Sequence, residues 1–322
     1  MTAGLRRHLL RGREITGLQV LSAGHSNETY LIEGLDMILR LPPSGAPLLE
    51  HALDVRCQFD VFAVLGGLPG APPGPGLYLM EQDAGVLGAP FFLMSRVEGL
   101  GWPDLRIPEW AAQGSDALRD TISSEAVGAL VFLHQQPPLD VFGPIRSVRQ
   151  ELARWRQTAE GCQVTPLDEA FALLDQTAPA DASPAPCHGD PKIANMLWHA
   201  DGRLVAWLDW ELAFNGDPRW DLAYHLGRFR GTHAAGHAGQ DQSGFWPRER
   251  VVQAWEQATG RSSDRLLWFE AAYKAKVAAI LAHGYRLVRQ GLSQDARLAQ
   301  WEAPARLYGE TALRMALADQ SA

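Results

Sequence analysis

Short apolar runs separated by glycine and turn residues are typical of the first 95 residues of the chain. Three of these runs are rich in β-branched and large apolar residues and predict strands, at 17–22, 28–34 and 36–42. The segment 48–65 has helical spacing and is followed by the Gly66–Gly67 pair, and the run at 90–99 predicts another strand. This part of the chain is therefore expected to be a small, mainly β lobe with one helix.

The pattern changes to a helical period farther along the chain. From Ser115, which suits an N-cap, apolar residues recur at helical spacing as far as His134. Further amphipathic helices are predicted at 147–161, 167–176, 247–260, 263–291 and near 296–317. The chain is thus predicted to be an α+β protein with a β-rich lobe over residues 1–95 and a larger, mainly helical lobe over residues 96–322. A cleft between two unlike lobes is a usual place for a small-molecule site.

A β-hairpin is predicted where two short apolar runs, 195–199 and 204–208, are joined by the turn sequence ADGR. Pairing the two strands brings the preceding loop HGDPKIAN close to Asp209 at the end of the second strand. The oxygen-bearing side chains of Asp190, Asn195 and Asp209 are then expected to converge, and such hard ligands suit Mg²⁺. Asp209 directly follows an apolar run, where a carboxylate is costly unless it is paired or binds a metal.

Composition narrows the class of protein. The 322-residue chain is 46% hydrophobic, enough for a sizeable core, and its net charge of −8 argues against a broad nucleic-acid surface. The longest apolar stretch contains Lys274 and Lys276 and is too short to span a bilayer. The amino terminus lacks the features of a secretory signal, and three cysteines without C-x-x-C spacing predict free thiols. We expect a cytoplasmic protein with no nucleic-acid or membrane partner.

The loop HGDPKIAN resembles the H-x-D-x-x-x-x-N catalytic loop of protein-kinase-like enzymes, and LDW resembles their metal-binding aspartate motif. The continuation DWELAFNGDPRWDLA is similar to the D-W-E, G-D-P and D-L-A pattern of the aminoglycoside phosphotransferase/choline kinase superfamily. GHSNETYLI, ILRLPP, PFFLMSRVEG and LVFLHQQPPLDVFG resemble other parts of it, so that the resemblance covers about residues 18–230. It is strongest toward the branch related to the kinase-like domains attached to some acyl-CoA dehydrogenases, and it implies a bilobal protein-kinase-like fold.

The resemblance implies roles for the residues of the catalytic loop. Asp190 stands at the catalytic-base position, and Asn195 and Asp209 at positions that hold Mg²⁺. Lys192 matches a position where a cation meets the transferring phosphate, with a solvated surface lysine as the alternative. His188 is expected to support the loop by hydrogen bonding rather than to act chemically.

Two further aspartates of the motif, Asp217 and Asp221, are expected to support the site structurally. Their positions suit the cap and the first turn of the following helix.

The same resemblance places Arg40 where protein kinases carry the lysine that contacts the nucleotide phosphates, and an arginine there can bind in bidentate fashion. An ungapped alignment puts Gln58 at the position of the usual acidic partner in the next helix. A neutral amide cannot form that ion pair, and Asp54 or Asp60 replaces it if the helix register differs.

The remaining nucleotide contacts are expected from a loop and a linker. Ser22 and Ser26 flank Gly24 in a turn that, with its backbone N–H groups, is able to cover phosphates, although an ordinary hairpin turn is the alternative. Adenine is expected to bind backbone groups of the lobe linker from Ser95 to Val97.

The resemblance implies a small-molecule kinase that moves the γ-phosphate of ATP, with Mg²⁺, to a hydroxyl group of a small-molecule acceptor. The acceptor stays open between a hydroxyacyl-CoA, an aminoglycoside and a choline-like or sugar-like alcohol. Alternative functions are a nucleotide-binding, pseudokinase-like module without turnover and a metal-dependent phosphoesterase.

Overall fold

The computed structural model of the protein describes residues 5, 15–23, 27–43, 45, 47–49, 54–103, 106–229 and 244–321. Its amino-terminal part is built on one antiparallel sheet of five strands in the order β1-β2-β3-β5-β4. The strands are β1 Gly17–Ala23, β2 Glu28–Glu33, β3 Met37–Leu41, β4 Leu77–Glu81 and β5 Phe91–Ser95. In the central strand β3, Arg40 is paired with Thr29 of β2 and Phe92 of β5.

The three strands predicted before residue 43 are confirmed, and so is the strand predicted near residue 90, although it is shorter than 90–99. β4 escaped prediction because it follows a Pro/Gly-rich loop and lacks a clean alternation of buried and exposed positions.

The helix predicted at 48–65 begins later, and the early start is wrong. Helix α1 spans Val55–Gly66 and is capped by Asp54, whose carboxylate accepts a hydrogen bond from Cys57 N at 3.0 Å. Leu48 and Leu49 are apolar for another reason, since they pack into the core of the helical lobe. A short helix, α2 Ala84–Leu87, follows β4.

The remainder of the chain is mainly helical. Its helices are α3 Glu109–Ala112, α4 Asp116–Gln135, α5 Val148–Thr158, α6 Thr165–Gln176, α7 Arg219–Phe229, α8 Arg248–Thr259, α9 Leu266–Arg289 and α10 Glu302–Gln320. The central helix α9 packs against α5, α6, α7 and α10. The predicted helices are present, but the last begins at Glu302 rather than near 296, because a 3₁₀ turn at Leu298–Gln300 precedes it.

Two short strand pairs carry the motif residues between α6 and α7. The predicted hairpin is confirmed as β7 Met196–Trp198 and β8 Leu204–Trp207. A second pair, β6 Ala185–Cys187 with β9 Phe214–Gly216, was not predicted, because strands of three residues carry no periodic signal.

One apolar cluster joins the two parts of the molecule. It includes Phe92 and Met94 from the sheet, Val61 from α1, and Trp198 and Trp207 from the hairpin. The hairpin is therefore packed directly beneath the sheet, which brings its polar loops to the boundary between the lobes. Among the helices that the structure describes, none is both long enough and apolar enough to cross a membrane.

Candidate active site

The predicted catalytic loop, residues 188–195, connects β6 to β7. Gly189 adopts φ of +81°, and a Cβ on it would collide with the backbone of Leu212. Only glycine fits this position, since both the left-handed conformation and the close approach exclude a side chain.

Asp221, in the first turn of α7, holds the start of this loop. Its two carboxylate oxygens accept hydrogen bonds from His188 N at 2.6 Å and Gly189 N at 2.9 Å. His134 Nε2 lies 3.4 Å from the same carboxylate, and Trp255 Nε1 donates to His134 Nδ1 at 2.8 Å. Because an indole N–H is a donor only, His134 Nδ1 is the acceptor and Nε2 carries the proton toward Asp221. A buried chain of hydrogen bonds, from Trp255 through His134 to Asp221, thus holds the start of the loop.

His188 connects the catalytic loop to the strand that ends at Asp209. Its ring is stacked on Trp207 with centroids 4.7 Å apart and is tilted against Trp210 at 4.4 Å. Nδ1 accepts from Asp190 N at 3.2 Å, so Nε2 donates to Leu208 O at 2.9 Å. Burial lowers the pKa of His188, which fits this neutral tautomer. Through these two hydrogen bonds His188 joins the loop to the end of β8.

Asp190, Lys192 and Asn195 meet at the other end of the loop. The amide nitrogen of Asn195 donates to the backbone oxygen of Asp190 at 2.9 Å and to its Oδ2 at 3.0 Å. Lys192 Nζ lies 3.2 Å from the same Oδ2, and its side chain is only 17% exposed. The alternative of a solvated surface lysine is therefore wrong. Because the Asn195 nitrogen is used by Asp190, its amide oxygen is the atom left for a ligand.

Backbone pairing brings Asp209 to the same place. Leu208 N donates to Asn195 O at 2.8 Å, next to the Met196–Trp207 pair of the hairpin. Asp209 itself takes the left-handed conformation, with φ 69° and ψ 56°, which turns the chain out of the strand. An amide oxygen and a carboxylate at this corner form the donor set that Mg²⁺ prefers.

Arg40 reaches Asp209 from the opposite lobe. Its Nη2 lies 2.6 Å from Asp209 Oδ1, and the two side chains are 13% and 29% exposed. Gln58, aligned with the usual acidic partner of Arg40, does not bind it. Among the described residues, neither amide atom of the buried Gln58 side chain has a hydrogen-bond partner.

The two alternatives to Gln58 are wrong as well. Asp54 caps α1 through Cys57 N, and Asp60 pairs with Arg56 at 2.9 Å on the surface of the same helix. In this structure Arg40 is thus held by Asp209 and not by α1.

A cavity of about 480 Å³ lies between the sheet and the hairpin. Its walls are formed by Leu21, Thr29, Ile38, Arg40, Phe62, Pro75, Met94, Ser95, Arg96, Val97, Glu98, Gly99, Leu197 and Leu208. The predicted contacts Arg40, Ser95 and Val97 all line it. Within the part of the chain that the structure describes, Val97 N–H makes no hydrogen bond, whereas Ser95 Oγ accepts one from Gly76 N at 2.8 Å.

Part of the predicted phosphate-covering loop lies outside the described residues. Ser22 belongs to β1, but its side chain lies outside the described residues, as does Ser26 entirely. At the end of this loop, Asn27 is buried and donates to Glu211 Oε2 at 3.0 Å, which links the loop to the segment after Asp209.

Asp217 connects the start of α7 to the segment that leads into β6. It accepts hydrogen bonds from Arg219 N at the start of α7 and from Ala182 N, each at 3.0 Å, and pairs with the Arg219 guanidinium at 2.6 Å. Arg219 in turn donates to Ala180 O and Asp264 O at 2.9 Å. Asp217 thereby fixes the segment that leads into β6.

His134, Cys187 and Asp221 lie close enough together to suggest a second metal site, but their atoms are otherwise engaged. His134 Nδ1 accepts from Trp255, and Asp221 binds two loop amides. Burial raises the pKa of the Cys187 thiol well above its usual range, so that it is not a thiolate ligand. This cluster is structural support for the catalytic loop.

Sequence reasoning missed four residues of this neighbourhood: Asn27, His134, Glu211 and Lys276. Asn27 and Glu211 stand in quoted motifs, directly after the loop serine and within D-W-E, and their positions there were a usable signal. The signal for Lys276 was a lysine inside an apolar helical run. His134 had no local signal, because its partners are 87 and 121 residues away.

Most of the chain is similar in sequence to known proteins. The model of the phosphotransferase enzyme family matches residues 17–266. Acyl-CoA dehydrogenase family member 11 of Gallus gallus is 31% identical over 215 residues, which are 63% of this chain and 27% of that protein. Member 11 of Pongo abelii is 29% identical over 297 residues, 86% of this chain and 37% of that protein. This chain thus spans about a quarter to a third of the length of these relatives.

Solved structures share the fold. A candidate aminoglycoside phosphotransferase from Ralstonia eutropha superposes with a TM-score of 0.76 at 24% identity, covering 99% of this chain and 98% of that one. The GDP complex of aminoglycoside 2'-phosphotransferase-IIIa gives a TM-score of 0.66 at 16% identity, covering 99% and 97%. A ternary complex of APH(4)-Ia with ADP and hygromycin B superposes with a TM-score of 0.61 at 16% identity, covering 98% of each chain. The predicted α+β, bilobal, protein-kinase-like fold is confirmed.

Proposed function

Since the chain belongs to the phosphotransferase enzyme family, we propose that it transfers the γ-phosphate of ATP to a hydroxyl group of a small molecule. The observation that carries this proposal is the position of Arg40, which lines the interlobe cavity and at the same time binds Asp209. The inner end of a nucleotide-sized cavity is thereby next to the cluster of Asp190, Asn195 and Asp209. We also propose residues 1–95 and 96–322 as the two functional lobes.

In this proposal the apolar cavity holds the base. Ile38, Met94 and Leu208 supply flat apolar contacts, and the unbonded Val97 N–H is a donor for a ring nitrogen of adenine. Arg40, Ser22 and Ser26 bind the phosphates, and Ser95 contributes its backbone at the linker. ADP and GDP complexes of proteins with the same fold support a nucleotide here.

Asp190 is the proposed catalytic base, and it receives or orients the proton of the acceptor hydroxyl. Phosphoryl transfer has a loose transition state, so positioning of the attacking oxygen matters more than basicity. Asn195 and Lys192, which both contact Asp190 Oδ2, fix the carboxylate in one orientation. Lys192 also carries a positive charge to the place where charge on the transferring phosphate has to be stabilised.

Asn195 and Asp209 are the residues that would hold Mg²⁺, through the amide oxygen and the carboxylate. The ion supplies charge neutralisation for the phosphates when it is bound. The acceptor is proposed only as a class, a hydroxylated small molecule, with hydroxyacyl-CoA, aminoglycosides and choline-like or sugar-like alcohols as candidates.

The test combines binding and turnover on the full chain. Mg-ATP is expected to raise the melting temperature, and ATP is expected to be consumed with at least one class in a panel of hydroxyacyl-CoA, aminoglycoside, choline and sugar acceptors. Asp190→Asn provides the control, because it should bind Mg-ATP but lose turnover. Binding without consumption across the panel would favour a nucleotide-binding module, and release of phosphate from phosphoesters without ATP binding would favour a phosphoesterase.

A further inference from the structure

Helix α9 carries two lysines into the interior of the helical lobe. Lys274 and Lys276 are exposed by only 2% and 3%, although their neighbours on the helix are mostly alanine and other apolar residues. A buried ammonium is unfavourable unless it has specific partners, and an apolar side chain of similar length would fill the same space at lower cost. The partners of the two lysines therefore indicate what each does.

Lys276 binds the catalytic loop directly. Its Nζ donates a hydrogen bond to the carbonyl oxygen of Gly189, the oxygen of the peptide bond that leads into Asp190. The N–H of Gly189 donates to Asp221, and the N–H of Asp190 donates to His188 Nδ1. The carbonyl oxygen of the Gly189–Asp190 peptide is thus bonded to Lys276, and the N–H groups of both residues are bonded as well.

The position of the ammonium is fixed by rings and charges around it. Nζ lies 4.5 Å from the centre of the Trp155 ring and 5.2 Å from that of Tyr224. Burial lowers the pKa of Lys276 to about 8, while Glu151, Asp190 and Asp221 act in the opposite direction. The group is thus still mostly protonated at pH 7.

Lys274, two residues away, points to a different environment. Its Nζ lies over the rings of Tyr273 and Tyr308, 4.7 and 5.4 Å from their centres. It is equally buried, and it lies on the same helix. The two lysines therefore form a matched pair for an experiment.

We propose that Lys276 is a positioning residue for phosphoryl transfer, whose buried ammonium fixes the Gly189–Asp190 peptide and thereby the direction of the Asp190 carboxylate. This inference rests on the proposed function of Asp190. It differs from a packing role because, besides its ring contacts with Trp155 and Tyr224, the ammonium donates a hydrogen bond to the loop carbonyl, a contact that packing alone does not require. An ammonium at this point also adds positive potential beneath the carboxylate without reaching the acceptor.

The experiment compares Lys276→Met with Lys274→Met in the full chain, using Mg-ATP and the acceptor from the panel that the wild type phosphorylates fastest. We expect Lys276→Met to lower kcat by about 10–100-fold, the effect of one charge-assisted hydrogen bond. Its KM for ATP should stay within about twofold of the wild type. Its melting temperature should change by only a few degrees, because removal of the buried charge offsets the loss of the hydrogen bond to Gly189 O. Lys274→Met should keep kcat within about twofold.

A second measurement does not depend on activity. Amide hydrogen exchange of residues 188–192 should be faster in Lys276→Met than in the wild type and in Lys274→Met. If Lys276→Met does not fold, Lys276→Gln takes its place, with a smaller expected loss of kcat because its amide still donates to a carbonyl. Unchanged kcat, equal losses in the two methionine variants, or unchanged exchange of the loop would each overturn the proposal. A wild type that binds Mg-ATP but phosphorylates nothing would instead overturn the proposed function, and the exchange result would still decide whether Lys276 holds the loop.

Discussion

The catalytic loop and the β3–α1 region face the same cleft, but their polar groups are bonded to very different extents. Around the loop, His188 donates to Leu208 O, Asn195 donates to Asp190, and Asp221 of α7 accepts from two loop amides. In the β3–α1 region, Arg40 Nε and both amide atoms of Gln58 are buried and have no hydrogen-bond partner within the described part of the chain. The catalytic loop is thus held by these hydrogen bonds, whereas the β3–α1 region still has polar atoms that can bond to a ligand.

This difference has a physical reason. A general base has to stand at a defined angle to its acceptor, so its support must be rigid before substrate arrives. Phosphate oxygens are themselves strong acceptors, and Arg40 has N–H groups ready for them. We infer that nucleotide binding completes the hydrogen bonding of the β3–α1 region.

The largest effect is expected from the rigid side. Asp190→Asn should lower kcat by about 10²–10⁴-fold, the usual contribution of a general base, with little change in the binding of Mg-ATP. Steady-state kinetics and a thermal shift with Mg-ATP measure the two quantities. The matched control is Asp201→Asn, on the exposed turn of the same hairpin, which should retain activity. An Asp190→Asn enzyme with nearly full kcat would exclude the role of this carboxylate.

A pH titration probes how firmly the loop is held. His225 of α7 donates through Nδ1 to Pro191 O of the loop at 3.3 Å, and burial lowers its pKa from 6.5 to about 4. Between these two pH values the unfolded chain binds more protons than the folded one, so stability falls as the pH decreases from 6.5 to 4. The loss from this histidine should reach about 3 kcal/mol. His188, whose pKa is also lowered by burial, acts in the same direction.

Urea unfolding at several pH values between 4 and 7 measures that loss. His225→Asn keeps a donor for Pro191 O but does not titrate, so its stability should depend less steeply on pH than that of the wild type. Parallel curves for the two proteins would show that the buried histidine does not control the acid sensitivity of the loop.

On the open side of the cleft, Arg40→Met should reduce kcat/KM for ATP by about 10–100-fold, because it removes a charge-assisted contact to the phosphates. Arg40→Lys should recover part of the loss, since it restores the charge but not the bidentate geometry. Kinetics with varied ATP concentration provide the measurement. Arg40→Met with wild-type kcat/KM for ATP would mean that this guanidinium serves only to pair Asp209.

The smallest effect is expected at Gln58. Gln58→Met should raise the free energy of unfolding by about 1–2 kcal/mol, because the desolvation penalty of an unbonded amide is removed. Chemical denaturation measures this gain, and KM for ATP should be unchanged. A raised KM for ATP would show instead that Gln58 hydrogen-bonds Arg40 when the nucleotide is bound, so that α1 contributes to phosphate binding.

The sequence predicted those parts of the site whose signal lies among neighbouring residues. The hairpin of residues 195–208 followed from two apolar runs and an Asp-Gly turn, and the positions of Asp190, Asn195 and Asp209 followed from its pairing. The start of α1 was predicted too early because Leu48 and Leu49 fit the apolar spacing of the helix. In the structure these two residues pack into the core of the helical lobe instead. The partner of Arg40 was missed for a related reason, since Asp209 is 169 residues away.

The sequence by itself determined the two lobes, the hairpin and the family motif, because strand and helix periods and turn residues act between neighbours along the chain. Only the tertiary structure decided which buried charges meet. Arg40 faces Asp209 rather than α1, and Lys276 contacts the peptide that leads into Asp190, because the sheet packs against the hairpin and α9 reaches the loop that precedes it. Electrostatic and hydrogen-bonding energies depend on such distances in space and not on separation along the chain.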